Sequence, residues 1–329
     1  MAVDEAGSPR ILILRRDNIG DLVCTTPLLR ALRVQLPRAW LGALVTTYNA
    51  EVLAGSTDLD EVFVYEKLKH RSGSLLSHLR TRLRQAARLR QQGLDCVLVP
   101  APAPQSLKLA RSLAPAHVIA SPTSFSSRLH EVERVFELGR SFGVAGKPGP
   151  MQVRPDQQEV IRLAKRLGAG PFVAIHISAR RPAQRWPLER YAALAAELAG
   201  ENRILLLWAP GSKDNPRHPG DDEAAAVVLS HLSKGAVIPL PTPDLKTLIA
   251  ALSIADRVVC PDGGAMHLAA ALGKPVLALF GDSPVERWHP WGVPYRVVRP
   301  ASRDLADLPV QDVLDSFVAL KGATIQSRE

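Results

Sequence analysis

The sequence is poor in cysteine and in aromatic residues, and it lacks long apolar runs. Its three cysteines, Cys24, Cys96 and Cys260, lie far apart without C-x-x-C spacing, which argues against a disulfide framework and against a zinc site. No stretch approaches the roughly 20 apolar residues of a membrane-spanning helix. Aromatic residues make up 5% of the chain and do not alternate with basic ones, so we expect no stacking platform for single-stranded nucleic acid.

Several motifs are missing as well. The pattern G-x-G-x-x-G does not occur, which removes the main support for a dinucleotide-dependent oxidoreductase, and the absence of G-x-S-x-G removes the α/β-hydrolases. No His, Cys and Glu residues cluster with metal-ligand spacing, so we expect neither a built-in metal nor a requirement for a divalent cation. Residues 1–10 are polar and lack the apolar core of a signal peptide, and a cytoplasmic protein is therefore expected.

What the chain does carry is an excess of positive charge. The formal net charge is +9, and the acid-free segment 67–90 contains Lys67, Lys69, Arg71 and five further arginines. A nucleic acid, an anionic membrane surface or a phosphorylated substrate would suit this charge. A solvated helix face is the alternative explanation for most of the arginines.

Short apolar runs alternate with helical patterns along the 329 residues. Runs such as 11–14 and 172–177 are typical of buried parallel strands, and amphipathic stretches separate them. After the first strand, one helix is predicted to run to Leu36, with Pro27 in its second turn. Strand–helix alternation with short connections predicts an α/β fold with parallel sheets.

The alternation is interrupted once, by a stretch rich in Gly and Pro at 143–155. Such a composition is typical of a linker between domains. We therefore predict two doubly wound Rossmann-like domains, residues 1–148 and 149–305, that face each other across a cleft. Residues 306–329 are predicted to form a C-terminal helix that packs back on the N-terminal domain.

The stretch Val258–Pro275 joins a strand, a glycine turn, a helix and the start of another strand. Asp262 falls at the carboxyl end of the strand, and Gly263 and Gly264 open the helix. Free backbone amides and the helix dipole suit an anion such as a diphosphate, and ligands bind at this edge of open α/β sheets. The alternative is an ordinary chain reversal. His267, one turn into the helix, either faces a ligand or packs.

Two other strand-to-helix turns carry polar residues. Asp21 follows Gly20 at the start of the first predicted helix, where a carboxylate can act as a general base or cap the helix. Ser178 ends another strand, and Arg185 is one of three arginines in the loop that follows. Because arginine forks onto phosphate oxygens, this loop is a candidate phosphate clamp. His176, inside the same strand, is interpreted as a core histidine.

Together these motifs resemble the ADP-heptose–lipopolysaccharide heptosyltransferases of glycosyltransferase family 9, which have the GT-B fold. The resemblance rests on three stretches in the same order: Ile11–Asp21 with Thr26–Leu28, Ser178–Pro187, and Asp262–Pro275 with Leu279–Gly281. It implies an inverting enzyme that moves a heptose from ADP-heptose to a lipopolysaccharide-core-like or other surface glycan acceptor.

The resemblance also implies roles for individual residues. Asp21 matches the catalytic base, and Asp262 matches a carboxylate near the donor sugar. Family members commonly carry a Glu for the nucleoside ribose soon after the strand that corresponds to Arg203–Trp208, and here Asp222 or Glu223 takes that place. The other donor contacts implied are Ser178, Arg185, Gly263, Gly264 and His267. The acceptor contacts are assigned to Gly20, Lys67, Lys69 and Arg71.

The partners implied are a nucleotide sugar and a glycolipid or glycan acceptor, with peripheral contact to anionic lipid at the inner face of the inner membrane, and no nucleic acid. Three alternatives stay open. The same fold could use a different nucleotide sugar or acceptor. The chain could be a non-catalytic scaffold that binds nucleotides or glycans. Binding to nucleic acid is the third, and it rests on net charge alone.

Overall fold

The computed structural model describes residues 8–65, 75–122, 129–168, 170–215 and 219–320. The chain divides into two compact units, Met1–Gly149 and Pro150–Glu329. The division falls inside the Gly- and Pro-rich stretch, one residue from the boundary that we expected.

The first unit is built on a parallel sheet. Its described strands are β1 (Arg10–Leu14), β2 (Trp40–Thr46), β3 (Glu61–Tyr65), β4 (Cys96–Val99) and β5 (His117–Ala120). Its described helices are α1 (Ile19–Val23), α2 (Thr26–Gln35), α3 (Leu75–Gln91), α4 (Pro104–Ser112) and α5 (Glu131–Phe136). The strand order is β3-β2-β1-β4-β5, and residues 11–14 of the central strand are at most 2% exposed, as expected of a strand covered on both faces.

The helix after β1 differs from the prediction. We expected one helix to Leu36, but the structure ends α1 at Val23 and begins α2 at Thr26. Pro27 lies in the first turn of α2, where its missing N–H would have no partner within the helix anyway. The proline therefore starts a second helix instead of kinking the first.

The second unit is built on a second parallel sheet. Its described strands are β6 (Phe172–His176), β7 (Arg203–Trp208), β8 (Val237–Pro241), β9 (Arg257–Pro261), β10 (Val276–Leu279) and β11 (Tyr295–Val298). The helices are α6 (Gln157–Leu167), α7 (Leu188–Ala199), α8 (Asp222–Ser230), α9 (Leu245–Ile254), α10 (Gly264–Ala271), α11 (Val285–Trp288) and α12 (Val310–Leu320). The strand order is β11-β10-β9-β6-β7-β8.

Each sheet has a point where the direction of strand addition reverses. In the first sheet this point lies between β1 and β4, and in the second it lies between β6 and β9. The loops that leave two such strands diverge, which opens a crevice at their carboxyl ends. The turns after β1, β6 and β9, which carry the polar motifs, therefore lie where this fold class binds ligands.

The C-terminal helix belongs to the second unit. We expected it to pack back on the N-terminal domain, but its buried side chains Val313, Phe317 and Leu320 form part of the core around Trp186 and Tyr191. The helix has an apolar face, and this face packs in the core of the second unit. Residues 321–329 lie outside the described part of the chain.

The predicted fold class is confirmed: the chain is α/β, with two Rossmann-like units that each contain a parallel sheet, as in the GT-B class. The cleft between the units stays a prediction. Among the helices that the structure describes, none combines the length and apolar content that crossing a bilayer requires.

Candidate functional site

The turn after β1 holds Asp21 through the start of α1. Its Oδ2 accepts hydrogen bonds from the backbone N–H of Asn18 at 3.3 Å and from the Asn18 side-chain amide at 2.9 Å. Asp21 therefore does cap the helix, as one of the two sequence interpretations held. Its side chain is 15% exposed, so the carboxylate can also meet a ligand. Gly20 beside it is buried.

Behind this turn lies a buried guanidinium that the sequence interpretation did not single out. Arg15 is fully buried, and it donates from Nε to the Asp21 carbonyl at 3.1 Å and from Nη2 to Asp21 Oδ1 at 3.1 Å. Nη2 also donates to Oε1 of Glu131, at 2.7 Å. A buried charge is costly unless it is paired, and here the pairing fixes the position of Asp21.

Glu131 comes from α5, more than a hundred residues further along the chain. It is fully buried and binds Arg134 in the next turn, with Arg134 Nε 2.8 Å from Oε2. Burial alone would raise the pKa of Glu131, but the hydrogen bonds from Arg134 and Arg15 outweigh it and hold the pKa at about 2. Glu131 is therefore ionised at neutral pH.

A third carboxylate shares the same guanidinium. Oδ1 of Asp17 lies 3.3 Å from Arg15 Nε. Burial raises the pKa of Asp17 to about 6. The charge of Arg15 offsets this rise only in part, and the charges of Asp21 and Glu131 add to it. For Arg15 itself, burial lowers the pKa, but the three carboxylates outweigh it and the pKa is raised. The cluster thus contains three carboxylates, which pair with the two arginines Arg15 and Arg134.

A cavity of about 330 Å³ opens beside this cluster. It is lined by Leu14, Arg16, Asp17, Tyr65, Ala101, Ala103 and Ser106. The Arg16 guanidinium lies over the Tyr65 ring, 4.8 Å from its centre. The predicted acceptor residues Lys67, Lys69 and Arg71 lie outside the described residues.

The turn after β9 has a different construction. Gly263 is extended (φ 160°), the helix α10 begins at Gly264, and no side chain caps its first amides. A Cβ added at Gly263 would meet no atom within 4 Å. Among the described residues, therefore, neither backbone conformation nor packing requires glycine at position 263.

Asp262 is 7% exposed and is held by a neutral partner. The side-chain amide of Gln184 donates to its Oδ2 at 2.8 Å, and Gln184 itself contacts the Ser283 hydroxyl at 3.4 Å. Arg181 pairs with Asp282 at 3.0 Å. The turns after β6, β9 and β10 are thereby joined. Gln184 could not be predicted from the sequence, because a single amide in a loop belongs to no motif.

Gly281, by contrast, is required by packing. A Cβ at this position would lie 2.3 Å from the backbone oxygen of Ala183. The turn after β10 and the loop after β6 thus approach backbone to backbone, which positions Gln184 for its bond to Asp262.

Ser178 and Arg185 lie toward β7. The Ser178 hydroxyl accepts from the Ala209 N–H at 2.9 Å, which leaves its own O–H free to donate outward. Arg185 is half exposed, donates from Nε to the Ala179 carbonyl at 3.1 Å, and lies 3.7 Å from Asp221.

The two candidates for the ribose carboxylate have different surroundings. Both oxygens of Asp222 accept bonds within the protein, from Trp208 Nε1 at 2.7 Å and from the Gly211 N–H at 2.9 Å. Glu223 is well exposed and pairs with Lys213 at 2.8 Å. Asp222 thus shapes the loop before α8, and Glu223 faces solvent.

The two histidines considered in the sequence motifs, His267 and His176, are both buried. His267 is 3% exposed and meets Trp288 edge to face, with 5.9 Å between ring centres. Burial lowers the pKa of His176 to about 4, so it is neutral at physiological pH, in agreement with a core histidine. Within the described residues, no group of three or more His, Cys, Asp or Glu side chains is arranged to hold a metal ion.

Comparison with known proteins identifies the class. The model of glycosyltransferase family 9 (heptosyltransferase) matches residues 86–317, which is more than half of the chain. The protein therefore belongs to glycosyltransferase family 9, as the sequence motifs suggested, and it is a glycosyltransferase.

Individual relatives agree with this membership. The chain is 26% identical over 322 residues to lipopolysaccharide heptosyltransferase 2 of Salmonella typhimurium, covering 88% of each. Its structure is similar to that of a family 9 glycosyltransferase from Veillonella parvula, with a TM-score of 0.82, 17% identity and 96% and 98% of the two chains covered. The Escherichia coli heptosyltransferase WaaC with ADP gives a TM-score of 0.76 at 21% identity, with 94% and 99% covered.

Proposed function

We propose that this protein transfers a heptose from ADP-heptose, with inversion, to a lipopolysaccharide-core-like acceptor. Family membership supports heptose transfer in lipopolysaccharide synthesis in general terms. The ADP donor is supported by the WaaC structures, which contain ADP or ADP-2-deoxy-2-fluoro heptose. The lipopolysaccharide acceptor is supported by the name of the Salmonella relative.

The observation that carries the donor assignment is Gly263. Because nothing within the protein requires glycine there, the open space above it points to a ligand that must approach the backbone closely. The helix α10 begins at the next residue, Gly264, and the free amides and dipole of a helix N-terminus favour a diphosphate. This observation supports an anion site over a mere chain reversal.

Other donor contacts follow from the surroundings of this turn. Arg185 and the free O–H of Ser178 are assigned as contacts of the diphosphate. Gly264 and His267, in the first turn of α10, are assigned as further donor contacts. Asp262, held by Gln184, is assigned to the donor sugar. For the ribose we favour Glu223 over Asp222, because both Asp222 oxygens already accept hydrogen bonds.

In the proposed reaction, an acceptor hydroxyl oxygen attacks the anomeric carbon while the bond from that carbon to the diphosphate oxygen breaks. The hydroxyl proton passes to Asp21, and the electron pair of the broken bond leaves with ADP. The helix N-terminus and Arg185 stabilise the charge that develops on the leaving group. Asp21, which Arg15 fixes in place, serves as general base.

Fewer observations support the proposed acceptor contacts than the donor contacts. Gly20, Lys67, Lys69 and Arg71 are proposed acceptor contacts, and the basic segment that contains the lysines would attract anionic lipid at the inner face of the inner membrane. Such attraction weakens as salt rises.

The experiment is a transfer assay with ADP-heptose and two O-deacylated lipopolysaccharides, one lacking heptose and one carrying a single heptose. We expect one ADP to be released for each heptose added to an acceptor. Mass spectrometry measures the added heptose. Binding of ADP without any product would favour a nucleotide-binding scaffold. A thermal-shift panel of ADP-, UDP- and GDP-sugars checks the donor, and stabilisation by UDP- or GDP-sugars alone would refute it.

A further inference from the structure

Asp17 is a partly buried carboxylate for which the proposed reaction has no role so far. It follows β1, four residues before Asp21, and its side chain is 25% exposed. Its Oδ1 is buried and has no hydrogen-bond donor, although Arg15 Nε lies 3.3 Å away. A buried carboxylate oxygen without a donor is rare in folded proteins, because it loses its hydration without replacement.

The nitrogen of Arg15 nearest to Asp17, Nε, donates its hydrogen bond to the Asp21 carbonyl oxygen and not to Asp17. The same guanidinium also binds Asp21 and Glu131. Arg16, the other cation beside Asp17, lies over the Tyr65 ring. Asp17 thus shares one guanidinium with two other carboxylates, and part of its charge is left uncompensated inside the protein.

Asp17 also lines the cavity of the first unit, and a ligand there would meet the exposed quarter of the side chain and not the enclosed Oδ1. That cavity offers a carboxylate at Asp17, a guanidinium at Arg16, a hydroxyl at Ser106 and the aromatic ring of Tyr65. A carboxylate, a guanidinium and a hydroxyl can each form hydrogen bonds with the hydroxyl groups of a sugar, and a few convergent polar groups in a pocket are typical of small-molecule sites. A polyhydroxylated sugar therefore fits the chemistry of the lining.

We propose that Asp17 binds the acceptor: its ionised carboxylate accepts a hydrogen bond from an acceptor-sugar hydroxyl and orients that sugar beside Asp21. The proposal rests on the proposed function, since it takes the cavity as the acceptor site. Its geometric support is that Asp17 and Asp21 contact one guanidinium, so both carboxylates lie at one end of β1.

The position of Asp17 predicts a pH dependence of acceptor binding. The groups that face it are Arg15 and Arg16 on its own segment, Asp21 on α1 and Glu131 on α5. Because burial raises the pKa of Asp17 to about 6, the carboxylate is mostly ionised at pH 7.5 and about one-tenth ionised at pH 5. Acceptor affinity should therefore fall about tenfold between these values.

The test is calorimetric titration of the full chain with the single-heptose O-deacylated lipopolysaccharide at about pH 7.5 and about pH 5. For Asp17→Asn we expect about tenfold weaker binding than wild type at the higher pH and little further loss at the lower one. Asp17→Glu, which keeps the charge, should restore part of both effects. Asp312→Asn, on the exposed start of α12, is the matched control and should behave as wild type. Comparison between variants removes the titration of the acceptor itself.

Folding is checked in the same samples. Since the pKa of Asp17 is raised on folding, its ionised form opposes folding above about pH 6, so Asp17→Asn should unfold at the same or a higher temperature. A purely structural Asp17 would give the opposite result. Equal acceptor affinity in wild type and Asp17→Asn, including no binding by either, overturns the proposal. Asp17-dependent binding without ADP release would instead overturn the proposed transfer and leave the acceptor site standing.

Discussion

The turns after β1 and after β9 occupy equivalent places, each at the carboxyl end of a strand beside the reversal point of its sheet. They are nevertheless built from different groups. The first is a closed cluster in which Arg15 binds Asp21 and buried Glu131. The second is an open turn of backbone amides, in which a neutral amide holds Asp262 and nothing touches the space above Gly263.

This difference separates two ways of supporting chemistry. In the first turn each charge depends on the others, because an unpaired buried charge is strongly unfavourable. In the second, Gly263, which we propose to meet the ligand, lies where an added Cβ would meet open space. Loss of buried Glu131 from the first cluster should therefore destabilise the protein, whereas a substitution at Gly263 in the second turn should disturb binding alone.

The largest effect is expected for Asp21→Asn. Loss of a general base lowers the transfer rate by about 10²- to 10⁴-fold, while ADP affinity stays unchanged because the donor contacts are assigned to the second unit. Steady-state transfer and calorimetry with ADP measure the two quantities. Equal transfer rates in variant and wild type would remove Asp21 from the role of base.

The next effect is on stability, in Glu131→Gln. Removing this charge leaves Arg15 and Arg134 undercompensated in the interior, and we expect a loss of about 3–5 kcal/mol in urea unfolding. Glu137→Gln is the matched control. Glu137 also pairs with an arginine three residues on, Arg140, but both are well exposed, and its loss should cost less than about 1 kcal/mol. Similar losses in both variants would contradict the closed-cluster account.

The same comparison has a pH signature. The pKa of Glu131 is held at about 2 in the folded protein, below its unfolded value of about 4.3, so its contribution is fully present above the unfolded pKa. It is lost as pH falls toward 2. The stability difference between wild type and Glu131→Gln should therefore shrink over that range, and a difference that is constant with pH would count against the buried ionised state.

In the second turn, Gly263→Ala should separate binding from folding. The backbone is extended and the added methyl meets open space, so the melting temperature should not change. ADP affinity should fall about tenfold, because the methyl occupies space needed by the diphosphate. Gly281→Ala provides the contrast, since its methyl would collide with the Ala183 oxygen and destabilise the fold. Unchanged ADP affinity in Gly263→Ala would refute the open-turn site.

The smallest effect is expected for Arg185→Ala. This side chain is half exposed, so the loss of its charge should weaken ADP binding only about fivefold, as calorimetry would show. Arg162→Ala, an exposed arginine of α6, serves as control. Equal ADP affinities for Arg185→Ala and wild type would exclude Arg185 from the donor site.

Much of the fold could be predicted from local pattern. The apolar runs that became β1, β6 and β9, and the glycines before α10, indicate strand and turn within a few residues. The break between α1 and α2 was missed, because the apolar spacing continues through it and only Pro27 marks it. The site residues that rest on motifs, such as Asp21 and Asp262, stay predictions.

The residues that support the motifs could not be predicted. Glu131 meets Arg15 across 116 positions of sequence, and its spacing to Arg134 is common on any exposed helix. Gln184 is a single amide in a loop, and Asp17 lies in a segment whose residue types are those of an ordinary turn. Only the three-dimensional arrangement shows that Glu131 and Gln184 are buried and that Asp17 shares Arg15 with Asp21 and Glu131.

The central claim is that the second unit holds the donor at the turn after β9. Hydrogen–deuterium exchange of the full chain, with and without saturating ADP, tests it most directly. The account predicts slower exchange of the amides at 263–267 and in the loop 178–185, with the turn at 15–21 unchanged. Protection confined to 15–21, or absent at 263–267 while ADP is bound, would contradict it.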